Sequence, residues 1–433
     1  MERWASRHRT SAGLTVLGVA VVAGLVALGV TAGGGGVATT SASAPAAPTS
    51  TISGPRLSGR SGTPAAAAAP AGPGSETSPR TSTTRAGSAP PGTTAPACRP
   101  AVATWSLDRL AEQTLLVSGS FSDLAASKSQ AAAGVGGFVL FGSPAAGSGP
   151  AIAGGIAALD ATARAAHAPP PLVSTDEEGG LVQRLAAVVG SLPAPRQMAA
   201  GWTPAQVTSA VKTVANGMRQ LGVNVDLGPV LDVAASNDPI ADESQRSFSA
   251  VGSVAATYGQ AFAAGLRAGG VLATVKHFPG LGQASADTDT SPASVPPLSA
   301  DPQALVPFRA AIAAGVPLVM VGHAMVPGLT GHVPASLSAA TYRLLASLGF
   351  HGVTMTDDLA AVAISAAGYT EASAAVAALA AGDDLAMLDA AQAPAAVAAI
   401  VAAVHDGRLP LWRLDAAVTA ILRAKGQPTC IVP

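Results

Sequence analysis

The chain has 433 residues, a formal net charge of -1 and only 11% charged residues. With no basic stripe to neutralise phosphates, a nucleic-acid partner is excluded. Aromatic residues make up 3%, too few for a base-stacking platform.

Residues 1–32 read as a targeting segment. Arg3, Arg7 and Arg9 precede an apolar run from Gly13 to Ala32. That run is near the length of a membrane span and longer than an ordinary signal-peptide core. It predicts a signal peptide or an N-terminal membrane anchor; no cysteine follows closely enough to carry a lipid. In either case the positive flank places the remainder outside the cytoplasm. Residues 33–97 are dominated by Ala, Pro, Ser, Thr and Gly, as in GPRLSGRSGTPAAAAAPAGPGSETSPR. Such a composition cannot bury enough apolar surface to offset chain entropy, so a disordered linker is expected. The folded domain is expected over 98–433. Its two cysteines, Cys98 and Cys430, bracket it. In an oxidising compartment they predict a disulfide, because a closed barrel sets its first and last elements side by side.

Helical and strand patterns then alternate. Trp105–Leu116 reads as a helix and VGGFVLFG at 135–142 as a short buried strand. A helix over 151–166 leads to a strand in PPLVSTDEEGG at 170–180. An amphipathic helix over 203–221 precedes VNVDLGPVLDV at 223–233, and a helix over 250–268 precedes VLATVKHF. PLVMVGHAMV at 317–326 and GVTMTDDL at 352–359 continue the series. A helix over 371–381, DDLAMLD at 383–389 and helices over 391–405 and 414–425 complete it. Such alternation predicts parallel strands with crossover helices. Seven or eight units without a Gly-rich dinucleotide fingerprint predict an α/β fold of the TIM-type (β/α)8 barrel class.

The ionisable residues of this apolar chain gather behind the predicted strands. Asp176 and Glu178 follow one strand, Asp226 and Asp232 the next. Lys276 and His277, then His323, then Asp357 and Asp358 follow later ones. Charges in a core are costly unless paired, whereas polar groups at the C-terminal strand ends of a barrel build active sites. No histidine pair has zinc spacing, no G-x-S-x-G elbow is present, and no Gly-rich nest precedes a helix. Neither a metal nor a cofactor is implied. Paired carboxylates within a basic shell are the groups that act at glycosidic bonds.

DEEGGLVQRL at 176–185, VKHFPG at 275–280 and GVTMTDDL at 352–359 resemble glycoside hydrolase family 3, and within it the single-domain β-N-acetylhexosaminidases. The resemblance covers roughly 100–426. It implies that Asp357 is the nucleophile of a retaining mechanism, with a covalent glycosyl-enzyme. It further implies that Asp176, Arg184, Arg246, Lys276 and His277 bind the sugar. The implied substrate is a carbohydrate bearing a non-reducing terminal N-acetylglucosamine, such as a cell-wall glycan. Three positions depart from the family pattern. Leu181 stands where an Arg is usual, and Leu281 replaces the histidine of G-H-G. Most importantly, Asp289 stands where the family's acid/base histidine is expected, two residues after the retained Asp287. Three readings stay open: Asp289 is the acid/base in its own right, Asp287 takes that role, or ordinary hydrolysis is weakened or lost. Two alternatives follow: a wall-associated sugar-binding protein that keeps the barrel without turnover, and a β-glucosidase-like member of the same family.

Overall fold

The computed structural model describes residues 99–235 and 245–431. The expected targeting segment, the linker and Cys98 lie outside the described residues. Eight parallel strands form one sheet: β1 Leu115–Ser120, β2 Gly137–Phe141, β3 Leu172–Thr175, β4 Val225–Asp226, β5 Leu272–Phe278, β6 Leu318–Val321, β7 Val353–Thr356 and β8 Ala386–Leu388. Each pairs in parallel with its sequence neighbour, and β8 returns to β1 through Ala386↔Leu115. The seam between β7 and β8 is a single bridge, Met355↔Leu385. It closes the ring as a (β/α)8 barrel.

Strand periodicity sorts the apolar side chains into two layers. Leu116, Val139, Leu172, Val225, Leu318, Met320, Val353, Met355 and Met387 fill the barrel interior. Their neighbours Leu115, Val117, Phe138, Leu140, Val319 and Val321 point outward into the helical layer. The helix Pro204–Leu221 shows how that layer is specified. Thr203 caps it by accepting the Gln206 N–H, the Gln206 side chain answers to the Thr203 N–H, and Gly222 ends it at φ 93°. Its buried stripe is Val207, Val211, Val214, Met218 and Leu221. Each such side chain contributes about 1.5–3 kcal/mol on burial, so a single Val211→Asp would disrupt the contact. The last helix, Leu411–Ala424, sends Ile421 into the interior layer and plugs the N-terminal end of the barrel.

Three expectations need correction. The helix expected over Trp105–Leu116 spans Leu107–Gln113, and Leu115 begins β1. A few apolar residues fit a helix tail and a buried strand equally well, and the ladder with β2 decides. Asp176 and Glu178 therefore come after the third strand, and Asp226 is the last residue of the fourth. The strand expected over 223–233 is only Val225–Asp226, followed by an isolated bridge Val230↔Lys276. Helices Lys128–Ala133, Val306–Ala313 and Ala339–Ser347 were not foreseen, because their patterns are short.

Candidate active site

The site is assembled at the C-terminal ends of β3 to β7. Beyond β3 the chain makes a hairpin, Glu177–Gly179 against Val182–Gln183. Its turn needs glycine: Gly179 has φ 103°, and a Cβ there would lie 2.4 Å from the Pro193 carbonyl oxygen. The hairpin presents Asp176, Glu178 and Arg184 together. In β5 two successive residues, Lys276 and His277, are both buried at the site, at 3% and 5% exposure. The β5–β6 register shifts between Val275 and Phe278, a bulge that re-aims the strand end. The Lys276–His277 peptide is cis.

Asp176, Glu178, Arg184 and Lys276 form one ion-paired cluster with a fifth side chain, Arg246. Lys276 Nζ lies 2.9 Å from Asp176 Oδ1 and 2.7 Å from Glu178 Oε1. Arg246 grips Glu178 with both ends of its fork, Nε to Oε2 at 2.7 Å and Nη2 to Oε1 at 2.8 Å. Arg184 Nη2 stands 3.6 Å from Asp176 Oδ2. Burial alone would raise the Glu178 carboxyl, but Arg246 and Lys276 outweigh it and hold the group well below its usual range. Asp176 is likewise lowered on balance, burial being outweighed by Lys276 and Arg184. Burial would lower Lys276, yet Asp176 and Glu178 keep it above an ordinary lysine. The cluster is therefore a fixed lattice of full charges, suited to holding vicinal hydroxyls.

A second group centres on Asp232. Its Oδ1 accepts the N–H groups of His277 at 3.2 Å and Leu281 at 2.7 Å, and its Oδ2 accepts His277 Nδ1–H at 2.7 Å. His277 Nε2 is thereby turned toward Asp357 Oδ2, 3.9 Å away. Gly282 is needed beside it, since a Cβ would meet the Val233 carbonyl oxygen at 2.2 Å. Asp357 follows β7. Its N–H donates to Val321 O, and its Oδ1 accepts the Asp358 N–H at 2.9 Å. Its Oδ2 thus faces the imidazole. His323 Nε2 donates to the Asp358 carbonyl at 2.9 Å, with Ser336 Oγ on its Nδ1 at 2.8 Å. This fixes the backbone next to Asp357.

The segment carrying Asp287 and Asp289 is bonded onto the same loop. Val362 N–H donates to Asp289 O at 3.1 Å and Ala363 N–H to Thr288 O at 3.1 Å. Asp287 Oδ1 accepts the Asp289 N–H at 2.9 Å, a local turn that shapes the segment. Both aspartates are partly exposed. The five predicted sugar-binding residues are thus brought together with Asp357, and Asp289 is carried on a turn docked five residues beyond it in sequence. Glu178 and Asp232 belonged to the predicted polar ring but had no assigned role. Glu178 turns out to be the hub for two cations, and Asp232 orients His277. A second carboxylate within a motif facing two basic residues was the available signal for Glu178. For Asp232 the partner lies 45 residues away, and only the fold reveals it. Leu181 is 56% exposed, so the Arg-to-Leu departure places an apolar side chain in solvent on the hairpin.

The glycosyl hydrolase family 3 N-terminal domain matches residues 107–424. Beta-hexosaminidase LpqI of Mycobacterium tuberculosis is 36% identical over 272 residues, covering 60% of this chain and 70% of LpqI. A family 3 glycosyl hydrolase structure from Mycobacterium smegmatis aligns with TM-score 0.67 and 37% identity, over 76% of this chain and 99% of that one. The β-N-acetylhexosaminidase of Beutenbergia cavernae aligns with TM-score 0.69 and 31% identity, over 75% and 99%. A protein described as a secreted glycosyl hydrolase from Arthroderma benhamiae is 36% identical over 242 residues, 54% of this chain and 68% of that protein.

Proposed function

Because the chain belongs to glycosyl hydrolase family 3, we infer that it is a retaining β-glycosidase that removes a non-reducing terminal N-acetylglucosamine from a glycan. One observation carries this reading: the Asp176–Lys276–Glu178–Arg246 lattice and the His277-facing Asp357 meet at one barrel mouth. Asp176, Arg184, Arg246, Lys276 and His277 grip the sugar. Asp357 Oδ2 attacks the anomeric carbon as the glycosidic C–O bond breaks, and a proton passes to the leaving oxygen. Water then attacks the glycosyl–Asp357 ester, giving up its proton to the acid/base and releasing the sugar with retained configuration.

The acid/base assigned here is Asp289. It replaces a histidine of the family pattern with a group that most glycosidases use. Its support is the docking of 288–289 onto 362–363. Asp287 is the poorer candidate, since its Oδ1 serves the turn. Nothing in the geometry favours a non-catalytic sugar-binding role or a glucosidase. Outside the cytoplasm is the proposed location, whether released or anchored; the N-terminal segment and the secreted Arthroderma relative support it. A Cys98–Cys430 disulfide is proposed with it. Pro100 pairs with Cys430 in a short antiparallel ladder, and no free cysteine occurs among the described residues. Cell-wall glycan fragments are the substrates such a location offers.

Hydrolysis of a chromogenic β-N-acetylglucosaminide and a chromogenic β-glucoside, with the product anomer read by proton NMR, tests the function. A β product from the first and a far slower second reaction are expected. An α product, or no turnover of either, overturns the reading.

A further inference from the structure

Two carboxyls beneath the sugar lattice take no part in it. Glu177 and Asp226 are both fully buried, at 0% exposure. Glu177 Oε1 accepts the Leu185 N–H, and Asp226 Oδ1 accepts the Glu177 N–H at 2.9 Å. Glu177 Oε2 and Asp226 Oδ2 have no hydrogen-bond partner. Neither carboxyl has an ion pair among the described residues. The neighbouring cations are already engaged: Lys276 by Asp176 and Glu178, Arg184 by Asp176, Arg246 by Glu178. The local charges confirm the mismatch. Four carboxyls (Asp176, Glu177, Glu178, Asp226) face three cations (Arg184, Arg246, Lys276), so four minus three leaves one negative charge in excess. Asp232, also near Arg246, is matched separately by three N–H donors.

We propose that Glu177 and Asp226 share one proton between their two unpartnered oxygens, and that this bond fastens the 177–185 hairpin to β4 and so positions Asp176, Glu178 and Arg184 for the sugar. An O–H from one carboxyl to the other satisfies both orphan acceptors and removes the excess charge, the arrangement that close like-charged carboxyls adopt. Burial comes first for both: with Asp226 and Asp176 it pushes Glu177 well above its ordinary value, and with Asp176 and Glu178 it pushes Asp226 up to about 7. The backbone N–H groups of Leu185 and Glu177, and the cations Arg184 and Lys276, oppose that rise without cancelling it. Glu177 and Asp226 touch no substrate in this scheme; they are positioning residues.

The sign of the pH effect follows. The folded chain keeps a proton that the unfolded chain loses in the ordinary carboxylate range. The stability it provides is full below that range and falls as pH rises until the shared proton leaves. Past that point two negative charges oppose each other under the hairpin, and sugar affinity declines.

The proposal uses the N-acetylglucosaminidase reading only for its kinetic readout. On the full chain, KM and kcat for a 4-nitrophenyl N-acetylglucosaminide, Tm, and carboxyl infrared bands are measured across pH for wild type, E177A, E177Q and D226N. In the wild type KM rises about tenfold per pH unit once the shared proton is lost, with kcat less affected. E177A raises KM about tenfold or more at neutral pH. E177Q restores it, because the amide N–H replaces the shared proton, and abolishes the alkaline rise. D226N behaves like E177Q and serves in its place if the latter does not fold. The protonated-carboxyl absorption of wild type at neutral pH loses one carboxyl's share in both amide variants while that of Asp383 stays, and their Tm falls less steeply with rising pH. An E177Q variant that keeps the wild-type alkaline rise, or shows the same carboxyl bands, overturns the proposal. If wild type hydrolyses nothing, the sugar reading fails, while the infrared and Tm comparisons still decide the shared proton.

Discussion

The two ends of this barrel both bury charge, and they use it differently. At the C-terminal end Asp176 and Glu178 are held low by Lys276, Arg184 and Arg246, so full charges stay available to a ligand. At the N-terminal end Arg413, on the plugging helix, bonds the carbonyls of Gly382 and Asp383 and lies 2.5 Å from Asp384 Oδ1. Asp384 in turn exchanges hydrogen bonds with the backbone N–H and hydroxyl of Thr354, at the start of β7. Asp383 beside it is pushed up to about 8 by burial first and Asp384 second. The lower cluster clamps a helix to a strand. Its charges are consumed by protein partners, whereas the upper cluster keeps two members partly exposed at the barrel mouth, Arg246 with 25% and Asp176 with 12% of its side chain. Buried charge alone therefore does not mark a functional site; what matters is whether the partners face inward on the fold or outward on a ligand.

The contrast can be broken by substitution at each end. Asp357→Ala should cut kcat by about a thousandfold or more with Tm unchanged; retention of a tenth of wild-type activity would remove Asp357 from the nucleophile role. A 2-fluoro sugar inactivator should label the same residue, as read by peptide mass spectrometry. Arg413→Met should do the reverse. Stranding Asp384 in a buried site costs about 3–5 kcal/mol of stability, read in urea unfolding, while kcat/KM of the remaining folded protein stays at the wild-type value. A matching loss of activity would mean the two ends are coupled.

Asp289→Ala sharpens the chemistry of the upper end. Removal of a general acid costs about 10²–10⁴-fold, and only substrates with poor leaving groups should suffer it fully. Nitrophenyl glycosides should lose far less at the first step, with azide partly restoring turnover. Equal losses on both substrate types would exclude Asp289 from acid catalysis. Loss of the proposed Cys98–Cys430 bridge in Cys430→Ser should lower stability by about 2–4 kcal/mol without touching KM; alkylation of both cysteines in the native protein would dispose of the bridge. The smallest effect concerns pH. Asp383 is raised in the fold, so its stability term is present below the ordinary carboxylate range and is lost as pH rises through about 8. Asp383→Asn should flatten that slope in Tm, and an unchanged slope would assign it elsewhere.

The upper end was largely legible in sequence and the lower end was not. Strand-end charges in D-E-E-G-G, K-H-F-P-G and T-D-D stand out from an apolar background, because such a chain has few reasons to carry them. Asp176, Lys276 and His277 stand out in this way, and the family resemblance adds Arg184 and Arg246. Their partners could not all be named. Glu178 and Asp232 gain their meaning from contacts 68 and 45 residues away. Arg413 and Asp384 carry no motif at all and look like ordinary solvent-facing charges on a helix and a loop. Leu115–Ser120 was lost in a helix tail because its pairing partner, not its own pattern, makes it a strand.

The backbone of residues 357–363 has a consequence of its own. It is tied on one side to Val321 and His323 and on the other to Thr288 and Asp289, and each of these four ties ends on a main-chain atom of this segment. The main chain at position 289 is thereby mounted on a bracket built of backbone bonds. Aspartate and histidine become interchangeable fittings there, differing in reach and acidity but not in where they are attached. A lineage could pass from one to the other in a single step while keeping the socket intact.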